Sequence, residues 1–309
     1  MRVIRDCRYC PEIARGGLLA IGNFDSLHLG HKYLLKKAKE LADTKGIKFN
    51  VMTFDPHPSE FFNESEGCIA ITHMREKLEM LEEVGVDFVF LQKFDSEFSK
   101  KTPKIFISEI VEYLQLKHLF VGESFYFGYN KDGDFSTIQD AAKEYSFGFS
   151  ISPMLKFENG STISSSSVRT CLLKGDIEQA SKMLGYHYFI SGQVVDGRKV
   201  GNKIGFPTIN LQYERRFMPK TGVYTASIYI EGDNCKYYGF ANIELDKEEI
   251  PSLKMHILNF HDHVIGKNVK IMLHQYIRGQ KLYSSIKDIA SQSSKDKIKA
   301  QQYFESLNA

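Results

Sequence analysis

The first half of the chain alternates short apolar runs with amphipathic segments, a pattern typical of strands that alternate with helices. Strands are predicted over residues 17–22, 48–54, 88–91 and 118–121, and helices over residues 30–44, 74–84 and 103–114. Short strands separated by helices of this length favour right-handed crossovers and a parallel sheet. Ligands bind beyond the carboxyl ends of the strands in such sheets. Three segments that begin at strand ends are therefore expected to lie close together: residues 22–31, 53–58 and 122–134.

From Tyr186 onward the pattern changes to closely spaced strands with polar turns. Strands are predicted over residues 189–195, 222–231, 236–243, 254–260 and 268–277. Strands that follow one another without helices favour an antiparallel barrel or sandwich. A terminal amphipathic helix is predicted over residues 285–307, with four apolar residues on one face: Ile286, Ile289, Ile298 and Phe304. We therefore expect two domains, an α/β domain over residues 1–185 and a β domain over residues 186–309.

Length and charge restrict the class of protein. A chain of 309 residues is long enough for two domains with separate cores. The 40 basic and 38 acidic residues give a net charge of +2, too balanced to indicate nucleic acid or an anionic membrane as a partner. No apolar run approaches the length of about 18 residues that spans a bilayer, and the N-terminus lacks the apolar core of a signal peptide. We predict a cytoplasmic protein with small-molecule partners, whose oligomeric state the sequence leaves open.

The five cysteines are an odd number scattered over the chain, which argues against a disulfide framework. Cys7 and Cys10 form a CxxC motif, but no second such motif accompanies it. We interpret these two residues as incidental thiols without a redox or zinc role.

His28 and His31 lie three residues apart, where a predicted strand turns into a predicted helix. Side chains at that spacing share the first turn of a helix, where backbone N–H groups and the helix dipole favour an anion. Gly22 and Gly30 are expected to let a polyphosphate approach closely. A metal site or a solvated pair of histidines is the alternative, but no third carboxylate or cysteine occupies an obvious ligand position. The motif therefore favours nucleotide chemistry.

Six short motifs follow one another along nearly the whole chain: residues 22–31 (GNFDSLHLGH), 53–58 (TFDPHP), 121–128 (VGESFYFG), 163–169 (ISSSSVR), 205–210 (GFPTIN) and 222–224 (GVY). In this order they resemble the motifs of the prokaryotic bifunctional riboflavin kinase/FMN adenylyltransferases, also called FAD synthetases. The resemblance implies a Rossmann-like nucleotidyltransferase domain with a parallel sheet, which transfers AMP from ATP to FMN and yields FAD and pyrophosphate. It also implies a C-terminal antiparallel β-barrel domain with a terminal helix, which phosphorylates riboflavin with ATP and Mg²⁺.

The resemblance assigns the contacts with the reacting ATP phosphates to His28, His31 and Arg169. The residues that it implies for ATP binding are Gly22, Asn23, Phe24, Gly30, Ser164, Ser165 and Ser166. The residues that it implies for flavin binding are Pro56, His57, Pro58, Ser124, Phe125 and Phe127. Adenylyl transfer needs no protein nucleophile, because the FMN phosphate attacks the α-phosphorus directly, so hydrogen-bond donors matter more than bases. A flexible turn at residues 164–167, a polar surface position at His57 and core positions for the two phenylalanines remain open alternatives.

The kinase-like domain keeps one motif and departs from another. Gly205, Pro207, Thr208 and Asn210 resemble the ATP and magnesium element, in which Thr208 and Asn210 offer hard oxygen ligands to the metal. In contrast, Lys254 stands where the family's catalytic glutamate is expected, and a protonated lysine cannot accept a proton from a hydroxyl. Ser26, Ser124 and Ser167 are further departures, with Ser26 at a position where glycine is usual. Either Glu248 or Glu249 replaces the missing base, or the kinase site has decayed.

We therefore expect an FMN adenylyltransferase with a riboflavin kinase domain of doubtful activity. A fully bifunctional enzyme and a flavin-binding regulatory protein without catalysis are the alternatives that the sequence leaves open.

Overall fold

The computed structural model describes residues 1–62, 70–158, 160–196, 205–213, 217–245, 251–260 and 262–307. Contacts along the chain divide it into two compact units, Met1–Ser165 and Ser166–Ala309. The second unit takes in two short helices ahead of its barrel, of which α6 spans Ser165–Lys174 and α7 spans Ile177–Leu184. We predicted a boundary between two functional domains after residue 185. That boundary stays a prediction.

A six-stranded parallel sheet forms the centre of the first unit, as predicted. Its strands are β1 (Arg2–Ile4), β2 (Leu18–Ile21), β3 (Phe49–Asp55), β4 (Phe88–Lys93), β5 (His118–Gly122) and β6 (Gly148–Ser152). The strand order is β1-β4-β3-β2-β5-β6, and all neighbours are parallel. The order changes direction between β2 and β5, and a crevice for a ligand forms at such a switch point.

The helices of this unit are α1 (Leu29–Lys45), α2 (Pro58–Phe62), α3 (Met74–Glu83), α4 (Pro103–Leu114) and α5 (Phe135–Tyr145). Helix α4 matches the prediction because its start is strongly encoded: the Thr102 side chain accepts the Ile105 N–H and Pro103 occupies the first turn. Strands β1 and β6 were not predicted. Both are edge strands with few buried residues and therefore carry no apolar run.

Cys7 and Cys10 belong to the apolar core of the first unit. Burial raises the pKa of the Cys7 thiol to about 11 and also raises the pKa of Cys10. Both residues are therefore protonated at neutral pH and pack as small apolar side chains.

A closed antiparallel barrel forms most of the second unit, which confirms the predicted fold class. Its strands are β7 (Phe189–Val195), β8 (Thr208–Gln212), β9 (Gly222–Ile230), β10 (Lys236–Leu245), β11 (Pro251–Ile257) and β12 (Asn268–Arg278). They close in the order β10-β11-β8-β7-β12-β9. The sequence pattern missed β8, because only Leu211 in it is fully buried and no apolar alternation marks the strand.

The terminal helix α8 (Ile286–Ser306) was predicted correctly, but only part of its predicted apolar face is buried. Ile286 and Ile298 are 58% and 52% exposed, whereas Asp296, Ala300 and Phe304 are buried. Arg278 on β12 donates to both oxygens of the Asp296 carboxylate from Nε, over 3.0 and 3.1 Å, and to one of them from Nη2 over 2.6 Å. This buried ion pair holds the Asp296 face of the helix against the barrel. The hydrophobic pattern alone predicts that this face is exposed.

Candidate active sites

His28 and His31 meet at the start of α1, directly after β2. The Nδ1 atom of His28 accepts the backbone N–H of His31 over 3.3 Å and so caps the helix. The two imidazole rings stack with their centroids 3.8 Å apart and their planes 20° from parallel. Because Nδ1 of His28 is an acceptor, the proton of the neutral ring lies on Nε2, from which it can be donated to an anion.

Both histidines are neutral at pH 7 in the absence of a ligand. Burial lowers the pKa of His28 to about 4. Burial also lowers the pKa of His31 well below its usual value, and the neighbouring His28 and Lys77 lower it further. The Nδ1 atom of His31 is buried and has no hydrogen-bond partner within the described part of the chain. The pair therefore offers ring N–H donors, and a bound polyphosphate would shift it toward the protonated form.

A buried lysine anchors the loop between β2 and α1. Lys77 on α3 is 1% exposed, and its Nζ donates to the backbone oxygen of Asn23 over 2.8 Å. The Thr53 hydroxyl donates to the same oxygen over 3.1 Å. Sequence reasoning missed Lys77, although one signal was available: it shares a helix face with the buried residues Met80 and Leu81.

Ser165 connects its segment to the same loop. Its hydroxyl donates to the backbone oxygen of Asp25 over 2.8 Å and lies 3.5 Å from the Ser26 hydroxyl. The Asp25 carboxylate in turn accepts the backbone N–H of Ile71 over 2.8 Å. Ser26 is buried with φ of 64°, a left-handed conformation that favours glycine, so its departure from the family's residue has a local cost. The loop is thus held in place by residues distant in sequence.

Gly22 and Gly30 have a packing role that we did not predict. A Cβ atom at Gly22 would lie 3.0 Å from the ring of Phe24, and one at Gly30 would lie 3.0 Å from the ring of His28. Phe24 is buried, and its ring meets that of His31 edge-on at 5.4 Å. The two glycines therefore make room for the rings that position the histidines, rather than for a ligand alone.

The segment after β3 leaves the sheet beside the histidine loop. Strands β3, β2 and β5 are neighbours, so the three candidate segments begin at the same edge, as predicted. Pro56 is exposed and Pro58 begins α2. The Nδ1 atom of His57 accepts the backbone N–H of Ser59 over 3.2 Å. His57 thus has a local structural role, and its contact with flavin stays a prediction.

The segment after β5 presents residues of different burial. Ser124 is exposed and Phe125 is half-buried. Phe127 belongs to the core, where its ring lies 5.3 Å from that of Phe125 and 5.7 Å from that of Phe106. Of the two phenylalanines, Phe125 is therefore the one with surface left for a ligand.

Helix α6 carries the remaining predicted phosphate contacts. Ser164, which precedes α6, is half-buried, and Ser166 in its first turn is exposed. Arg169, one turn further on, holds its guanidinium 4.7 Å from the centre of the Phe217 ring, an arrangement that fixes its orientation. The approach of Arg169 to ATP stays a prediction.

Thr208 and Asn210 lie on one face of β8, because they are two residues apart in a strand. Gly205 just before the strand has φ of 78°, and His256 on β11 binds the backbone oxygen of Pro207 through Nδ1 over 2.8 Å. The motif is therefore fixed to the neighbouring strand. A cavity of about 270 Å³ adjoins it, lined by Pro207, Thr208, Ile209, Ile257, Phe260, Asp262, His263, Val264 and Ile265.

Lys254 lies beside this motif, opposite Asn210 on β8 and opposite Asn242 on β10. Its ammonium group forms an ion pair with the carboxylate of Glu244, which also accepts the Asn242 amide N–H over 2.9 Å. Position 254, where the family's catalytic glutamate is expected, thus holds a cation. Its ion-pair partner is a carboxylate on the adjacent strand β10. Glu248 and Glu249 lie outside the described residues.

Two family models match the chain: FAD synthetase over residues 10–167 and riboflavin kinase over residues 184–304. A curated relative from Escherichia coli K12, named bifunctional riboflavin kinase/FMN adenylyltransferase, is 34% identical over 310 residues and 98% of each chain. A relative of the same name from Bacillus subtilis is 34% identical over 94% of this chain and 93% of its own. A crystal structure entitled macrolide-efflux protein, from Streptococcus pneumoniae, is 25% identical with a TM-score of 0.83, covering 97% of this chain and 98% of its own.

A parallel-sheet unit with a histidine pair at a helix N-terminus, followed along the chain by a closed barrel, defines the class of nucleotide-dependent transferases to which these matches point. The chain belongs to the bifunctional riboflavin kinase/FMN adenylyltransferase family. Enzymes of this family use ATP, riboflavin and FMN as substrates and produce FAD. Among the helices that the structure describes, none is long and apolar enough to cross a membrane.

The comparisons favour the fully bifunctional alternative over our expectation of a doubtful kinase domain. The riboflavin kinase model matches the second half of the chain, and the relatives that carry both names align along nearly its whole length. The alternative of a regulatory protein without catalysis has no support from these relatives, because they are named as enzymes.

Proposed function

We propose that this protein converts riboflavin into FAD in two ATP-dependent steps. The barrel unit transfers the γ-phosphoryl group of ATP to riboflavin, and the parallel-sheet unit joins the resulting FMN to the AMP part of a second ATP. The observation that carries the proposal is the stacked pair of His28 and His31 at the N-terminus of α1, beside the switch point of the sheet.

In the adenylyl transfer, an oxygen of the FMN phosphate attacks the α-phosphorus of ATP. The bond from this phosphorus to its bridging oxygen breaks, and pyrophosphate leaves. The Nε2–H group of His28 and the N-terminal dipole of α1 stabilise the negative charge on the phosphates. Arg169 adds a donor from α6, the Ser165 hydroxyl holds the loop through the Asp25 oxygen, and Phe125 and Ser124 contact the flavin.

In the kinase reaction, Thr208 and Asn210 would hold Mg²⁺. The test of fit is the donor set: a hydroxyl and an amide oxygen, both hard ligands, lie on one face of β8, and Thr208 lines the adjoining cavity. When bound, the metal neutralises charge on the transferring phosphates. The chain itself contributes the fixed backbone at Pro207, which His256 anchors, and the neighbouring strands that carry Lys254 and Glu244.

Chromatographic separation of flavins tests both steps. Purified protein is incubated with Mg-ATP and either riboflavin or FMN. We expect FAD and pyrophosphate from FMN, and FMN followed by FAD from riboflavin. A folded protein that forms no FAD from FMN would disprove the adenylyltransferase proposal, and one that leaves riboflavin unchanged would disprove the kinase proposal.

A further inference from the structure

We propose that Glu244 is the proton acceptor of the kinase reaction, so that the base is supplied by β10 instead of β11. The inference rests on the proposed riboflavin kinase function. It concerns a residue that lies outside all six motifs.

The strand register places Glu244 at the site. Asn210, Lys254 and Asn242 form a row across the three adjacent strands β8, β11 and β10. Partners in such a row point to the same face, and adjacent strands are about 4.8 Å apart. Glu244 follows Asn242 by two residues and therefore shares this face with the row.

Three donors hold the Glu244 carboxylate over the row. It accepts hydrogen bonds from the Lys254 ammonium, from the Asn242 amide over 2.9 Å and from the Ser252 hydroxyl over 3.5 Å. Because the ammonium contacts the carboxylate directly, the carboxylate lies where the side chain of residue 254 ends. A glutamate at position 254 would bring its carboxylate to the same region.

The Glu244 carboxylate and the Lys254 ammonium also fit the chemistry of phosphoryl transfer. The carboxylate of Glu244 accepts the proton of the primary hydroxyl of riboflavin while the hydroxyl oxygen forms a bond with the γ-phosphorus of ATP. The bond from the γ-phosphorus to its bridging oxygen breaks and ADP leaves. Lys254 orients the carboxylate through their ion pair.

A surface ion pair alone would not explain the arrangement. The Glu244 side chain is only 25% exposed and its carboxylate has three donors, whereas exposed pairs have one partner and contribute little to stability. A carboxylate just after β9 lacks this placement: Glu231 is exposed and accepts the Asn268 amide N–H over 2.7 Å.

The test compares Glu244→Gln with Glu231→Gln in the full-length protein. We expect Glu244→Gln to lower kcat for riboflavin phosphorylation about a hundredfold, with the KM values for ATP and riboflavin nearly unchanged. Glu231→Gln should keep the wild-type kcat. In the double variant Glu244→Gln/Lys254→Glu, residue 254 on β11 supplies a carboxylate in place of the one lost from β10. We expect this variant to regain most of the lost turnover. A merely structural role for the ion pair predicts no such rescue.

The outcomes separate this inference from the proposed function. If the wild type phosphorylates riboflavin and Glu244→Gln does so equally fast, the inference is wrong and the kinase function stands. A loss confined to Glu248→Gln or Glu249→Gln would also overturn it. If the wild type forms FAD from FMN but leaves riboflavin unchanged, the kinase function fails and the inference fails with it.

Discussion

The ring of His28 stacks on the ring of His31 and accepts its backbone N–H, so one side chain sets the position of the other. Replacing His31 by alanine removes one half of the stack and one donor to the phosphates. We expect FAD formation from FMN to slow about a hundredfold, the scale of losing one transition-state donor. Riboflavin phosphorylation in the same preparation serves as the internal control. Wild-type FAD formation in this variant would contradict the role of His31.

Two replacements of His28 separate its capping role from its chemical role. Asparagine can still accept the His31 N–H, whereas alanine cannot, so His28→Ala should lose about 1 kcal/mol more free energy of unfolding than His28→Asn. Both variants lack the Nε2–H donor and should form FAD much more slowly than the wild type. Chemical denaturation and the FAD assay measure the two effects. An asparagine variant with full activity would leave His28 with a structural role only.

Lys77→Met tests the buried anchor of the histidine loop. The substitution keeps the apolar stem and removes the hydrogen bond from Lys77 to the Asn23 oxygen, which keeps its bond from Thr53. We expect the free energy of unfolding to fall by about 1–3 kcal/mol, together with slower FAD formation. Lys37→Met is the matched control, because the Lys37–Glu40 pair is exposed and such pairs contribute little. Equal effects of the two substitutions would refute the anchoring role.

The ion pair of Arg278 and Asp296 supports a stability prediction for the barrel unit. Arg278→Met leaves the Asp296 carboxylate, only 2% exposed, without its guanidinium. We expect a loss of about 3–5 kcal/mol in the free energy of unfolding. The double variant Arg278→Met/Asp296→Leu removes both charges and should recover much of this loss. Denaturation monitored by fluorescence of the tyrosines measures it, and a double variant no more stable than Arg278→Met would refute the explanation.

The neutral buried histidines predict a loss of stability in acid. The pKa values of His28 and His274 are lowered to about 4 and about 3, mainly by burial. In the unfolded chain both return to about 6.5, so below that pH the unfolded state binds protons that the native state does not. Stability is therefore fully present above about pH 6.5 and falls as the pH falls toward 4, by on the order of 3 kcal/mol for His28. Urea denaturation at a series of pH values measures the fall.

His274→Gln provides the control for this pH dependence. His274 is buried, and its Nε2 lies 2.7 Å from the Ser227 hydroxyl, a contact that glutamine can reproduce without titrating. The variant should lose less stability on acidification than the wild type. An identical pH dependence would show that His274 does not contribute.

The sequence predicted elements well where local chemistry encodes them. Helix α4 has a threonine cap and a proline in its first turn, and β7 has the predicted bounds, with apolar residues at both ends. The meeting of His28 and His31 followed from spacing alone. In contrast, the buried face of α8 depends on the partner of Asp296, which lies on a strand distant in sequence. A hydrophobic pattern treats every aspartate as exposed and cannot anticipate that partner.

The same limit applies to the candidate sites. The roles of Lys77 and Glu244 depend on contacts with Asn23 and Lys254, and these arise only after strands and helices have paired. The motifs mark the residues that we expect to face the ligands. They did not mark the side chains that hold those residues, because a supporting residue needs only the right position in the fold.

The low basicity of His28 and His31 determines how the candidate phosphate site meets its ligand. Before a ligand binds, both imidazoles are neutral and offer ring N–H groups, so the pair adds no positive charge of its own. The negative charge of a bound polyphosphate favours a protonated pair. The charge at this helix N-terminus therefore rises with the ligand that occupies it.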